Sequence, residues 1–177
     1  RAYTAFMADT ENVFTDVFRY ICYGLKYGKK IFSMLSVDFI LNVEKASFRT
    51  THEADKMKGF LRFRELSEGV MYAEVEPCCN IIEILAHHFA DRFPDERFVI
   101  YDKGRKLSAI YSGDILITEA KISEIPQNSD GEEAYQRLWK QFIRSVNIKE
   151  RKNPVCQRTL MPKKYWKYML ETQDLNK

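Results

Sequence analysis

The chain contains three histidines, His52, His87 and His88, and imidazole is the side chain that exchanges protons near neutral pH. His52 stands in the run His52-Glu53-Ala54-Asp55-Lys56. On a helix, His52 and Lys56 share a face at i, i+4 spacing, which suits a phosphate cradle or a proton-transfer pair and equally suits a solvated helix end. His87 and His88 precede Asp91 and Arg92. Adjacent helical positions diverge by about 100°, so these two imidazoles do not readily share a metal. His88 and Asp91 at i, i+3 fit a hydrogen-bonded acid/base pair, and the alternative is plain capping of a helix carboxy terminus by cations. In a catalytic arrangement, Glu76 or Asp91 partners the histidine and Arg92 or Arg97 clamps an anion.

A second group of residues suits binding rather than proton transfer. From Lys149 to Lys167 the cations are Lys149, Arg151, Lys152, Arg158, Lys163, Lys164 and Lys167, with Glu150 as the one acid. Tyr165, Trp166 and Tyr168 are interleaved with them. Cations beside planar rings suit a phosphate backbone with stacked or flipped bases. The competing arrangement is a carboxy-terminal clamp whose aromatic rings pack on the sheet while the lysines stay solvated.

Other chemistry is excluded by what the sequence lacks. It has no Walker loop, G-x-G-x-x-G, G-x-S-x-G or H-E-x-x-H, which argues against ATP-driven phosphoryl transfer and Rossmann-type dinucleotide chemistry. Cys22, Cys78, Cys79 and Cys156 form no C-x-x-C pair, so neither a metal nor a cofactor is expected, and the thiols read as reduced in a cytoplasmic protein. No window approaches the ~20 apolar residues of a membrane span. Net charge is +3, far below that of a purely electrostatic nucleic-acid binder. The chain opens at Arg1, so an amino-terminal piece is expected to precede it.

The elements that must position these residues follow from periodicity. Val13, Phe14, Val17, Phe18 and Ile21 recur at helical spacing, and a further helix runs from Phe39 to Met57, with Gly59 as its terminator. The period then changes to that of a strand over Phe60–Leu66, with Arg62 and Arg64 on one side, a turn at Ser67–Gly69 and a returning strand at Val70–Val75. Asn80 and Glu83 read as the cap of a helix with Ile81, Ile82, Leu85, Ala86 and Phe89 as its buried stripe. Strands are expected at Arg97–Tyr101, Lys106–Tyr111 and Ile115–Glu119, then a polar loop from Glu124 to Gly131. Ser129 and Glu132 form a capping-box pair that opens a helix carrying Tyr135, Leu138, Trp139, Phe142 and Val146. A short aromatic helix over Lys164–Leu170 closes the chain. Strands grouped rather than alternating with helices predict an α+β fold: an antiparallel sheet of about five strands with one inserted helix, flanked by amino- and carboxy-terminal helices. The length suits one domain over 1–177, with a helical part at 1–58, the sheet with its inserted helix at 59–122, and the helix and basic tail at 129–177.

Four strings carry a family resemblance: Lys56-Met-Lys-Gly-Phe-Leu-Arg-Phe-Arg-Glu65, His87-His-Phe-Ala-Asp-Arg-Phe-Pro-Asp-Glu-Arg97, Glu150-Arg-Lys-Asn-Pro154 and Met161-Pro-Lys-Lys-Tyr-Trp-Lys-Tyr168. Together they resemble a bacterial family of DNA repair or DNA metabolism proteins containing a domain of unknown function, over Val13 to Leu170. The resemblance implies a radical-SAM DNA-modification protein as partner and, in some members, fusion to a uracil-DNA-glycosylase-like domain. Relatives tend to carry Asp-His where this chain has Cys78-Cys79 before Asn80, so an acid–histidine site there does not carry over.

Three functions fit these residues. The leading one is a DNA-binding accessory module in repair or modification. Its contact surface is Lys56, Arg62, Arg64, His88, Arg92, Arg97, Arg151, Arg158, Lys163 and Lys164, with Tyr165 or Trp166 stacking on a base. The second is an enzyme acting on a nucleic-acid base or nucleotide through His52 or His88 with Glu76 or Asp91. The third is a module that docks the radical-SAM or glycosylase partner through aromatic surface.

Overall fold

Helical periodicity carries the chain as far as Phe60, and strand periodicity takes over after it. A computed structural model describes residues 1–119 and 127–175. The loop expected from Glu124 to Gly131 therefore lies outside the described residues up to position 126. Two compact units emerge. The first comprises Arg1–Gly59 with Glu76–Leu85, and the second Phe60–Val75 with Ala86–Lys177.

The first unit is helical, with α1 (Ala2–Phe6), α2 (Val13–Tyr27) and α3 (Asp38–Phe60). Of the five apolar positions expected to recur on α2, only Val13 and Val17 join Ala5, Tyr20, Ile31, Ile40 and Val43 in one apolar cluster. α2 stops where Gly28 adopts φ +56°, a left-handed conformation that glycine takes without a Cβ penalty. The other face of α2, carrying Phe14, Phe18, Ile21 and Leu25, is exposed. Glu53, buried on α3, accepts hydrogen bonds from the backbone N–H groups of Cys78 (3.1 Å) and Cys79 (2.7 Å). A buried carboxylate thus holds this loop through two backbone amides.

The second unit is built on a five-stranded sheet in the order β1 (Arg64–Glu65), β2 (Met71–Val75), β3 (Phe98–Asp102), β4 (Leu107–Tyr111) and β5 (Ile115–Glu119). The expectation of an antiparallel sheet is corrected at one pair: β2 and β3 run parallel, with Met71 opposite Phe98 and Val75 opposite Asp102. Parallel neighbours need a long crossover rather than a hairpin, and residues 76–97, which contain α4 (Ile82–Arg92), supply that length. The remaining pairs are antiparallel.

Four further expectations change. α3 runs through Gly59 to Phe60, so the strand expected over Phe60–Leu66 shrinks to two residues and Arg62 precedes it. α4 begins at Ile82, with the Leu85 amide bonding to the Ile81 carbonyl, and the carboxylate of Glu83 accepts from the Tyr3 hydroxyl at 2.6 Å. The Ser129–Glu132 capping box does not form at α5 (Glu132–Val146), which has no side-chain cap. Instead, Ser129 Oγ donates to Glu65 (3.0 Å) and Glu132 accepts from the Glu65 amide (2.9 Å). The open edge of β1 offers backbone donors that outcompete a local cap. The tail after α6 (Pro154–Leu160) forms two 3-10 turns, Lys163–Tyr168 and Leu170–Leu175, rather than one helix. No helix among the described residues is long and apolar enough to cross a membrane.

Candidate functional site

The second unit gathers the basic residues. Its sequence holds 19 Lys and Arg against 16 Asp and Glu, whereas the first unit balances 9 against 9, so the whole net charge of +3 belongs to the second. Two adjoining grooves on this unit hold the most distinctive side chains.

The polar groove, about 310 Å³, is lined by Arg62, Arg64, Tyr72, Glu74, Asn128, Gln136, Lys167 and Tyr168. Arg64 comes from β1, and its guanidinium donates to Asn128 Oδ1 at 3.0 Å and lies 5.1 Å from the Tyr72 ring centroid. Tyr72 donates to Glu74 at 3.2 Å. Burial first, and the Glu74 carboxylate second, push the Tyr72 phenol well above its ordinary value. It remains a neutral hydrogen-bonding group at physiological pH. Gln136 donates to Glu132 Oε1 at 2.7 Å, which leaves the amide oxygen as an acceptor. The groove therefore presents guanidinium, ammonium, amide and phenol groups together, the set that recognises a phosphate with an attached planar base.

The aromatic groove is larger, about 760 Å³, and shares Arg62, Phe63, Gln136 and Leu170 with the first. Its other walls include Arg92, Phe93, Tyr135, Leu138, Trp139 and Phe142. The α5 stripe lies open to solvent: Tyr135 is 69% exposed, Phe142 53% and Trp139 38%. Arg62 joins the two grooves. It pairs with Glu171 at 2.6 Å, and its guanidinium lies 6.0 Å from the Trp139 ring centroid. Trp139 Nε1 in turn donates to Glu171 at 3.4 Å. Burial works against the Glu171 charge, but the bonds from Arg62 and Trp139 outweigh it and hold the carboxyl below its ordinary value.

Of the residues singled out from sequence, Arg62, Arg64 and Arg92 line these grooves. Arg97 is exposed and donates to the Glu68 carbonyl at 3.1 Å, while Arg151 and Arg158 are exposed in the segment beyond α5. Tyr165 and Trp166, expected to stack on a base, are each only 5% exposed. Tyr165 packs on Phe60, and Trp166 donates to the Met161 carbonyl at 2.8 Å. Lys163 and Lys164 are exposed, and their ammonium groups lie 5.8 and 4.6 Å from the centroids of these rings. Lys163 stands over Trp166 and Lys164 over Tyr165, each in cation–π geometry.

The histidine candidates are distributed between units. His52 and Lys56 lie on α3 in the first, His52 exposed and stacked on Phe48 at 5.6 Å, and Glu76 is exposed in the same unit. His88 and Asp91 lie on α4 in the second, His88 edge-on to Phe89 and Asp91 exposed. None of them lines either groove. Among the described residues, no three His, Cys, Asp or Glu side chains gather to hold a metal ion. Sequence reasoning did not single out Tyr72, Asn128 or Gln136, and it named the α5 stripe without marking it as an open face. Lys167 and Tyr168 were visible as members of the basic aromatic tail, whereas the amides carry no local signal.

These features define a mixed α+β protein with a cationic groove opening into an aromatic one. The chain belongs to the family described as a domain of unknown function, DUF4130, whose model matches residues 11–171. No curated protein and no solved structure matches it.

Proposed function

We propose that this protein is a nucleic-acid-binding module serving DNA repair or DNA modification in a bacterial cytoplasm. The observation that carries the reading is the convergence of Arg62, Arg64 and Lys167 with Tyr72, Asn128 and Gln136 on one groove of the unit that holds the net positive charge. Phosphate oxygens would take the guanidinium and ammonium donors, and the phenol and amides would face sugar or base edges. Fluorescence-anisotropy titration against labelled single-stranded, duplex and uracil-containing DNA at two salt concentrations tests it. Binding that weakens steeply with salt is expected, and no affinity at low salt for any of the three would sink the reading.

A second reading, docking of a radical-SAM or glycosylase partner, is favoured by the exposed Phe14, Phe18, Ile21 and Leu25 of α2. Four large apolar groups on one helix face suit a protein contact better than a phosphate chain. Co-elution with the radical-SAM protein that disappears in Phe18→Glu would support it, and separate elution at micromolar concentration would count against it.

A further inference from the structure

We infer that the nucleic acid bound is single-stranded, with its backbone in the polar groove and its unpaired bases stacked along the exposed aromatic face of α5. This rests on the nucleic-acid reading above and narrows it. The two grooves share Arg62, so a chain held at the cationic end passes directly into the aromatic one. Trp139 presents its ring beside that guanidinium, which lies 6.0 Å from the ring centroid, and Glu171 fixes both through hydrogen bonds of 2.6 and 3.4 Å. Trp139 and Phe142 stand 5.9 Å apart with planes tilted by 33°, and Tyr135 precedes Trp139 by one helical turn, giving a run of rings along α5. Bases paired inside a duplex hide their faces, whereas each unpaired base offers a π-face on either side. The charge on this face suits a polyanion: Arg92 lines the aromatic groove and Arg64 the polar groove that adjoins it. The aromatic groove's one acid among the described residues, Glu132, is already engaged by the Glu65 amide and the Gln136 side chain. An apolar peptide would use the rings but bring no negative charge to Arg92 or to Arg64 in the adjoining groove, which is why a strand is the better occupant.

The test uses the full chain with two probes, a fluorescein-labelled oligo(dT) of about 15 nucleotides, chosen to exceed one binding site, and a duplex of the same length. Intrinsic tryptophan emission is read beside anisotropy. Trp166 is buried and Trp139 exposed, so unlabelled oligo(dT) is expected to quench the wild-type protein and to leave Trp139→Phe, which reports Trp166 alone, nearly unchanged. Trp139→Ala/Phe142→Ala is expected to weaken the single strand by roughly tenfold or more, the loss of one or two stacked bases, with little effect on duplex. Arg64→Ala/Lys167→Ala is expected to weaken both probes and flatten the salt dependence. Equal affinity for duplex and single strand, or unquenched Trp139 with binding still abolished in Arg64→Ala/Lys167→Ala, overturns the single-strand inference and leaves the nucleic-acid reading standing. Oligo(dT) binding unaltered in Trp139→Ala/Phe142→Ala, together with abolished co-elution of the radical-SAM protein, assigns the face to a protein and also overturns it. Failure of both probes to bind at low salt removes both readings at once.

Discussion

Arg62 donates to Glu171 at 2.6 Å across 109 residues of sequence. The pair ties the segment after α3 to the last described turn of the chain. It also places a guanidinium at the boundary of two grooves, with Trp139 drawn in by the same carboxylate. Because both partners are largely shielded from water, removing one leaves the other charge poorly compensated.

Glu171→Gln is expected to lower stability at pH 7 by about 2 kcal/mol, the scale of a hydrogen bond to a charged group. The folded carboxyl is held below its ordinary value. Its contribution is therefore fully present above the unfolded value of about 4.3 and is lost as pH falls through the lower folded value. Urea denaturation at pH 7 and again near pH 3 checks this: the gap between wild type and variant should narrow in acid.

The buried carboxylate of Glu53 serves the Cys78 and Cys79 amides in the first unit. Glu53→Ala leaves both donors without that acceptor and is expected to cost about 3 kcal/mol. A shift in the denaturant midpoint with an unchanged slope would confirm it, and a destabilisation below about 1 kcal/mol would count against the bridge.

Thiol reactivity separates the adjacent cysteines. Cys79 is buried, and burial, ahead of the neighbouring Glu53 charge, pushes its thiol above the ordinary value. Cys22, Cys78 and Cys156 are exposed. A thiol-exchange reagent at about pH 8 is expected to modify these three quickly and Cys79 only on unfolding. Rapid modification of all four in native buffer would contradict the placement.

Glu132 holds the start of α5 to β1 through the Glu65 amide at 2.9 Å. Glu132→Ala is expected to destabilise the second unit by about 2 kcal/mol and to raise hydrogen exchange in α5 more than in β3 or β4, because it loosens one attachment and leaves the sheet ladder intact.

Lys163→Ala/Lys164→Ala removes two exposed charges outside both grooves. Its effect on DNA binding is expected to be smaller than that of Arg64→Ala/Lys167→Ala, which removes cations from the polar groove itself. For every phosphate that a variant no longer neutralises, the slope of log affinity against log salt should fall by about one.

Local periodicity was enough to define the helices α2 and α3, the buried stripe of α4 and the three strands β3 to β5, because each rests on a repeat of apolar residues that one face must bury. Arg62, Arg64 and Arg92, singled out from the strand pattern and the inserted helix, line the two grooves. The parallel pairing of β2 with β3 emerged only on folding, since strand direction depends on where the intervening chain returns and not on the strand's own pattern. Folding also turned the rings of Tyr165 and Trp166 inward and those of Trp139 and Phe142 outward. An amphipathic stripe specifies which residues share a face, but a neighbour distant in sequence specifies whether that face is covered. For the same reason no local signal marked Asn128 and Gln136. Their place in the groove follows from Glu65, Arg64 and Glu132, hydrogen-bonding partners brought together only when β1 and the start of α5 meet.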